Sequence, residues 1–144
     1  MTILIKSTLR NRRPQSAIRE RLRSILLLAG IQDAEISVLI LGDRAMRTLN
    51  RRYRRKDRTT DVLSFPFREG AFPDMAGTAL GDIVISMPTA ERQAKISGEP
   101  LRRELDRLLV HGLLHLLGYD HEQGEAKARR MRQREREILE RLDA

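Results

Sequence analysis

The sequence predicts a mixed α/β fold of the α+β type, in which about five helices pack on a small mixed sheet of about four strands. Short β-rich apolar stretches alternate with segments whose apolar residues recur at helical spacing. Their order is strand, helix, two or three strands with a helix among them, and then three helices. The 144 residues contain no internal repeat or linker, so we expect one domain spanning residues 1–144.

The first half of the chain carries alternating strand and helix signals. Residues 2–7 predict a short strand, and Pro14 begins a helical pattern that ends at Gly30. Residues 36–41 predict a strand that is buried on both faces or nearly so. Asp43 is a good N-cap for the next helix. The apolar side of that helix is expected to carry Ala45, Met46, Leu49 and Tyr53.

The second half begins with two more strands, residues 61–67 and 80–86. Pro66 places the first of them at an edge or near a strand end, because proline cannot donate a ladder hydrogen bond. Residues 68–78 contain two glycines and a proline and predict a loop. Three helices follow, from Pro88 to near Gly98, from Pro100 to Leu117 and over residues 124–142, the last with Ala128, Met131, Ile138 and Leu142 as its buried seam.

Composition points to a polyanionic partner. The formal net charge is +8, and all but four of the 28 basic residues are arginine, which adds bidentate phosphate contacts to simple charge. The five aromatic residues are too few for a single-strand stacking platform as the main binding device. Without cysteine, any metal must be held by histidine and carboxylate. The N-terminus lacks a signal pattern and no apolar run approaches the ~20 residues of a membrane span, so a cytoplasmic location without membrane association is expected.

All three histidines fall in the segment 111–121, which reads His-Gly-Leu-Leu-His-Leu-Leu-Gly-Tyr-Asp-His. His111 and His115 are one helical turn apart and project from the same face. Gly118 can end the helix in a left-handed conformation and return the chain, so that His121 reaches the same point. Three neutral imidazoles with an open fourth position are typical of a catalytic zinc site. The sequence therefore predicts one zinc ion held by these histidines.

The segment matches the zincin ligand order with one departure, because Gly112 stands where zinc peptidases carry a glutamate base. Peptide hydrolysis by the usual route is therefore not expected. A zinc-activated water can instead attack a phosphodiester if positive charge stabilises the phosphate oxygens. One helix and its exit loop supply that charge through Arg44, Arg47, Arg51, Arg52, Arg54, Arg55, Lys56 and Arg58. We predict phosphate contacts within this cluster, and assign the binding of the polyanionic partner to Arg51, Arg52, Arg55, Lys56 and Arg58. Asp120 either orients a ligand imidazole or caps the last helix.

Three blocks of sequence together resemble the YbeY family. The first is the histidine segment, which looks like the family's His-Gly-x-x-His-Leu-x-Gly-Tyr-Asp-His signature. Residues 49–67 resemble its Asn-x-x-Tyr-Arg-x-Lys-Asp-x-Pro-Thr-Asp-Val-Leu-Ser-Phe-Pro stretch, with Thr59 in place of the proline. Residues 80–83 match its Leu-Gly-Asp-Ile strand.

The resemblance implies a zincin-like fold and a zinc-dependent, single-strand-specific endoribonuclease. It makes His111, His115 and His121 the zinc ligands and Arg54 the functional cation of the cleft. It also implies 16S rRNA 3′-end maturation and ribosome quality control, with RNA and the ribosome or its 30S subunit as partners.

Two other functions remain open from the residues alone. A zinc peptidase could take its base from Asp61 or Asp82. A non-catalytic rRNA-binding assembly factor could use zinc only to stabilise its fold. The residues leave open zinc against another imidazole-tolerant metal, and they leave the oligomeric state open.

Overall fold

The computed structural model describes residues 1–10, 14–67 and 78–144, and the loop predicted over 68–78 lies outside them except for Thr78. The mixed α/β prediction is confirmed. In chain order the elements are β1 Thr2–Ser7, α1 Pro14–Leu28, β2 Glu35–Leu41, α2 Asp43–Arg54, β3 Val62–Pro66, β4 Ala79–Ser86, α3 Met87–Ser97, α4 Leu101–Leu116 and α5 Glu125–Asp143. Within the described ranges, no helix is long and apolar enough to cross a membrane.

The four strands form one mixed sheet in the order β1-β2-β4-β3. β1, β2 and β4 are parallel, and β3 is an antiparallel edge strand paired with β4. Pro66 is the last residue of this edge strand, as its missing N–H requires. The parallel strands carry apolar, β-branched residues on the face that α1 and α4 cover.

The main hydrophobic core lies between one face of the sheet and helices α1, α4 and α5. Alternate residues of β2 point into it, and Ile36, Val38 and Ile40 are all buried. On the opposite face, Ser37 and Leu39 are half-buried. A smaller apolar cluster on that face contains Met46 and packs beneath α2, together with Leu41, Leu63 and Val84. The sequence predicted burial of β2 on both faces or nearly so. The strand is fully buried on the core face and half-buried at Ser37 and Leu39 on the other.

The start and the buried side of α2 differ from the sequence expectation. Gly42 is the N-cap and Asp43 is the first helical residue. The Asp43 carboxylate instead accepts hydrogen bonds from the hydroxyls of Ser86 (2.7 Å) and Thr89 (2.6 Å), so it joins α2 to the end of β4 and the start of α3. Ala45 and Tyr53 are exposed, and the buried residues of α2 are Met46 and Asn50. The buried stripe is narrow because α2 covers only part of its face of the sheet.

The last three helices begin and end close to the residues predicted from the sequence. Gly98 ends α3 with φ 70°, and Pro100 is the N-cap of α4. In α5 the predicted seam is confirmed, since Ala128, Met131 and Ile138 are buried and Leu142 is half-buried. Packing of this seam brings α5 alongside α4, where Glu135 contacts His111.

Candidate metal centre

The three histidines converge at the C-terminal end of α4. The ring centroids of His111 and His115 are 4.8 Å apart, as expected for positions i and i+4 on one helix face. The His121 ring lies 5.3 Å from that of His111 and 5.0 Å from that of His115. One nitrogen from each ring can be chosen so that all three lie within 4.8 Å of one another.

A left-handed turn after α4 produces this convergence. Gly118 has φ 99°, and the Tyr119 N–H donates to the Leu114 carbonyl oxygen (2.9 Å), which closes the helix end. The Asp120 carboxylate then accepts the Glu122 N–H (2.8 Å) in an Asx turn. Asp120 is therefore not the N-cap of α5, because that position belongs to Gly124. Its other suggested role, orienting an imidazole, stays a prediction.

Glu135 of α5 contacts His111, and this residue was not identified from the sequence. Its Oε1 is 3.0 Å from Nδ1 of His111. A signal was present, because Glu135 interrupts the buried seam of α5 between Met131 and Ile138. Recognising it required knowing that this seam packs against α4 beside His111.

The surroundings of His115 favour a neutral ring. Burial lowers its pKa to about 4, and the neighbouring His111 and His121 act in the same direction. At neutral pH the imidazole of His115 therefore keeps a lone pair available, as a metal ligand must.

The donor set fits one zinc ion. Imidazole nitrogens bind zinc at ~2.0–2.1 Å, and three histidines leave a fourth position open. Nδ1 of His121 and Nε2 of His115 are 3.1 Å apart, a separation that two such ligands of one ion can adopt. This group can therefore hold a metal ion.

Gly112 packs against the sheet. A Cβ added there would lie 3.0 Å from Cγ2 of Ile83, a fully buried residue of β4, and 3.2 Å from two further atoms of the same side chain. The Gly112 carbonyl oxygen also accepts a hydrogen bond from the buried hydroxyl of Ser64 (3.3 Å). A side chain at position 112 would therefore run into β4, and close packing explains the glycine.

Arg54 shares a cleft with the histidines. The cleft has a volume of about 640 Å³ and is lined by Arg54, Lys56, Arg58, His111, His115 and His121 among others. The Arg54 guanidinium donates to the Ser64 carbonyl oxygen (3.1 Å), which holds its side chain along the edge strand β3. The structure thus brings the predicted cation and the predicted ligands to one cavity.

The remaining basic residues divide into two groups. Lys56 and Arg58 line the cleft, whereas Arg51, Arg52 and Arg55 are outside its lining. Arg51 lies 3.8 Å from Asp57, which also pairs with Arg47 (2.9 Å). The Arg52 guanidinium lies over the Tyr53 ring, 5.7 Å from its centroid. The charge cluster seen in sequence is therefore only partly directed at the histidines.

The two carboxylates considered as peptidase bases have other partners. Asp61 lines the cleft, but its oxygens accept the Val62 N–H (2.8 Å) and the Gln93 side-chain amide (3.2 Å). Asp82 bonds the Ser37 hydroxyl and lines a separate groove on the opposite face of the sheet. Asp61 is thus engaged by other groups and Asp82 lies outside the cleft, so this geometry argues against the peptidase.

A family model and several relatives match most of this chain. The family model described as Endoribonuclease YbeY matches residues 5–143. A relative named Endoribonuclease YbeY from Anaeromyxobacter dehalogenans is 52% identical over 84% of this chain and 61% of its own length. One from Geobacter metallireducens, with the same name, is 47% identical over 85% of this chain and 82% of its own length.

The fold is also found in a solved structure. The solution structure of TM1509 from Thermotoga maritima matches with a TM-score of 0.68 and 26% identity, covering 98% of this chain and 89% of that one. The chain spans 61% and 65% of the lengths of two Anaeromyxobacter relatives, and more than four fifths of two Geobacter relatives. The family model and these identities show that the chain belongs to the YbeY family.

Proposed function

We propose that this protein is a zinc-dependent, single-strand-specific endoribonuclease that works as one domain. The observation that carries the proposal is the shared cleft, in which three convergent histidines face Arg54, Lys56 and Arg58. A hydrolytic metal site lined with cations suits a phosphodiester substrate, because phosphoryl transfer depends mainly on positioned positive charge. The names of its relatives point to the same activity.

His111, His115 and His121 would hold a single zinc ion. When bound, zinc lowers the pKa of a coordinated water towards neutrality and polarises phosphate oxygens. His111 is fixed from behind by Glu135 (3.0 Å), and His115 is neutral at the pH of the reaction. The cage is thus held in a form that can bind metal before substrate arrives.

Arg54 is the group that we assign to the scissile phosphate. Its hydrogen bond to the Ser64 carbonyl fixes the side chain within the cleft, and its remaining N–H groups can donate to phosphate oxygens as negative charge develops on them. A cation fixed in advance costs little reorganisation during the reaction. Lys56 and Arg58 extend the positive wall and would hold the neighbouring phosphates.

The shape of the cleft favours a single strand over a duplex. His111 and His115 are only partly exposed, so the phosphate must enter the cavity to reach them. A single strand can bend one phosphate inwards, whereas a duplex presents its phosphates on a stiff, broad surface. The few aromatics fit recognition through the backbone rather than through base stacking.

We infer that the substrate is 16S rRNA near its 3′ end, within the 30S subunit, and that the protein acts in the cytoplasm in ribosome maturation and quality control. The family resemblance and the net charge of +8 support this. The test is 3′-end mapping after incubation with precursor-containing 30S particles. A shortened 3′ end that requires the histidines is expected, and unchanged ends would contradict this assignment.

Cleavage itself is tested with purified, zinc-loaded protein on a labelled RNA offered as a single strand or annealed to its complement. We expect cleavage of the single strand and little cleavage of the duplex. His111→Ala, purified identically, should lose the activity. Equal cleavage by the wild type and His111→Ala would reveal a contaminating nuclease, and an intact single strand would reject the proposal.

A further inference from the structure

Helix α5 contacts the first histidine of the cage. Oε1 of Glu135 and Nδ1 of His111 are 3.0 Å apart, and their side chains are 20% and 28% exposed. A contact of this length is a normal hydrogen bond, and partial burial shields it from solvent more than most surface ion pairs are shielded. The two residues are 24 positions apart in sequence, so helix packing creates the contact.

Glu135 is placed by the buried seam of α5. It stands one helical turn after Met131 and just under one turn before Ile138, both of which are buried in the main core. The seam therefore directs Glu135 towards α4. A carboxylate in such a position carries a desolvation cost and needs a partner. Within the described residues, His111 is the hydrogen-bonding partner found for it.

Two arginines close to Glu135 on α5 pair with other acids. Arg132 pairs with Glu125 and Arg134 pairs with Glu137, both at 3.1 Å. Glu135 is therefore distinguished from these two acids of the same helix by bonding a histidine of the cage. The contact is more specific than the general charge pairing along the exposed side of α5.

We propose that Glu135 is a positioning residue for the metal site. Its carboxylate accepts the Nδ1 proton of His111 and so selects the tautomer whose Nε2 lone pair is free to bind the ion. A carboxylate in this place also makes the imidazole a stronger donor and fixes the plane of the ring. The C-terminal helix thereby forms part of the metal centre without supplying a ligand. This role rests on the proposed function, because it concerns the same site.

The test is Zn²⁺ affinity, measured by competition with a chromophoric chelator at neutral pH in the absence of RNA. Glu135→Ala should bind Zn²⁺ about 10–100-fold more weakly than the wild type. Glu135→Gln should lose less, since its amide oxygen can still accept the Nδ1 proton. The matched control is Glu137→Gln, an exposed acid of the same helix paired with Arg134, and its affinity should be unchanged.

A second readout observes the tautomer directly. Nitrogen-15 spectra of the imidazoles in the zinc-loaded protein should show His111 protonated at Nδ1, with that proton protected from exchange. The protection should be lost in Glu135→Ala. Thermal unfolding of the metal-free variants, followed by circular dichroism, identifies any loss of affinity that follows from loosened helix packing. Glu135→Gln keeps the shape of the side chain and so should keep the helix packing. If its spectrum still shows His111 protonated at Nδ1, the carboxylate position acts through the tautomer and not through packing.

Wild-type affinity and an unchanged His111 spectrum in both Glu135 variants would overturn the proposal. Equal weakening by Glu135→Gln and Glu137→Gln would also overturn it, since the effect would then be one of helix charge. Because neither measurement uses RNA, the outcome is independent of the nuclease assay. A protein that binds zinc through this arrangement but leaves RNA intact would contradict the proposed function alone.

Discussion

The Arg54 guanidinium and the backbone carbonyl oxygen of Ser64 are joined by a hydrogen bond of 3.1 Å. The hydroxyl of the same serine donates to the Gly112 carbonyl oxygen on α4, between His111 and His115. One residue of the edge strand thus links Arg54 to the helix that carries His111 and His115. The position of Arg54 relative to the histidines is therefore fixed through hydrogen bonds to main-chain carbonyls of β3 and α4.

This link predicts that Arg54 acts through position as well as charge. Arg54→Ala should lower kcat for single-stranded RNA by about 10²–10³-fold, the effect of losing one preorganised donor. Arg54→Lys should recover only part of it, because an ammonium cannot reproduce the planar fork. Single-turnover kinetics measure the effect, with Arg52→Ala as the control on the same helix. Equal losses in Arg52→Ala and Arg54→Ala would contradict the assignment.

A second prediction separates the cations of the cleft from those outside it. The double variant Lys56→Gln/Arg58→Gln should weaken RNA binding and reduce the slope of log K against log[salt] by about 0.7 for each phosphate of a single strand that is no longer neutralised. Arg52→Gln/Arg55→Gln removes the same charge from residues outside the cleft lining and should change the slope less. Binding is measured by fluorescence anisotropy over a range of salt concentrations. Equal slopes for the two double variants would show that only net charge matters.

Gly112 provides a test of the packing between α4 and the sheet. Gly112→Ala gains about 1 kcal/mol of helix propensity but incurs about 1–3 kcal/mol from overpacking, since Ile83 is fully buried and cannot easily give way. We expect a net loss in the free energy of urea unfolding. In an Ile83→Ala background the same substitution should become neutral or stabilising. An identical effect in both backgrounds would rule out the Ile83 side chain as the cause.

Asp43 predicts a dependence of stability on acid pH. Burial raises its pKa, but hydrogen bonds from Thr89 and Ser86 and the pairing with Arg92 outweigh this and lower it from 3.8 to about 2. Because the folded state holds the proton less tightly than the unfolded state, the stabilisation is present above about pH 4 and is lost as the pH falls towards 2. With a third of the side chain exposed, we expect an effect of about 1 kcal/mol.

The measurement for Asp43 is urea unfolding of the wild type and Asp43→Asn between pH 5 and pH 2. The difference in unfolding free energy should shrink as the pH falls. Asp57→Asn, which breaks an exposed pair with Arg47, serves as the control and should show a smaller change. A constant difference across this pH range would show that Asp43 does not contribute through its ionised form.

Metal removal distinguishes catalysis from structural support. The main core packs α1, α4 and α5 on the sheet without involving the histidine side chains. Chelation should therefore abolish RNA cleavage and lower Tm by mass action, while the chain remains folded. Circular dichroism and the cleavage assay, run on the same chelated sample, measure both. Cooperative unfolding on chelation would favour the assembly factor with structural zinc.

The secondary structure was largely predictable because each element has a local signal. Pro100 at the start of α4, the left-handed Gly98 after α3 and the apolar seam of α5 are read directly from the sequence. The cap of α2 was not, because the Asp43 side chain bonds Ser86 and Thr89, more than 40 residues away. A strong local propensity was overridden by tertiary partners.

The candidate site was likewise predictable only where a local sequence signal exists. The i, i+4 spacing of His111 and His115 is a local property, so their convergence is predictable from the amino-acid sequence alone. Which arginines enter the cleft depends on how the loop after α2 returns to β3, and spacing does not encode that path. Glu135 depends on the docking of two helices. Sequence patterns thus predicted the convergence of the histidines but missed Glu135, which contacts one of them.

The close packing of Gly112 on Ile83 also constrains how this site can change over generations. A mutation that introduces a glutamate at position 112, where zinc peptidases carry one, places its Cβ 3.0 Å from Cγ2 of Ile83. The Ile83 side chain must then shift or be replaced by a smaller one, and a replacement opens a void in the main core. Packing against the fully buried Ile83 therefore disfavours the peptidase base at this position unless the sheet residue changes as well.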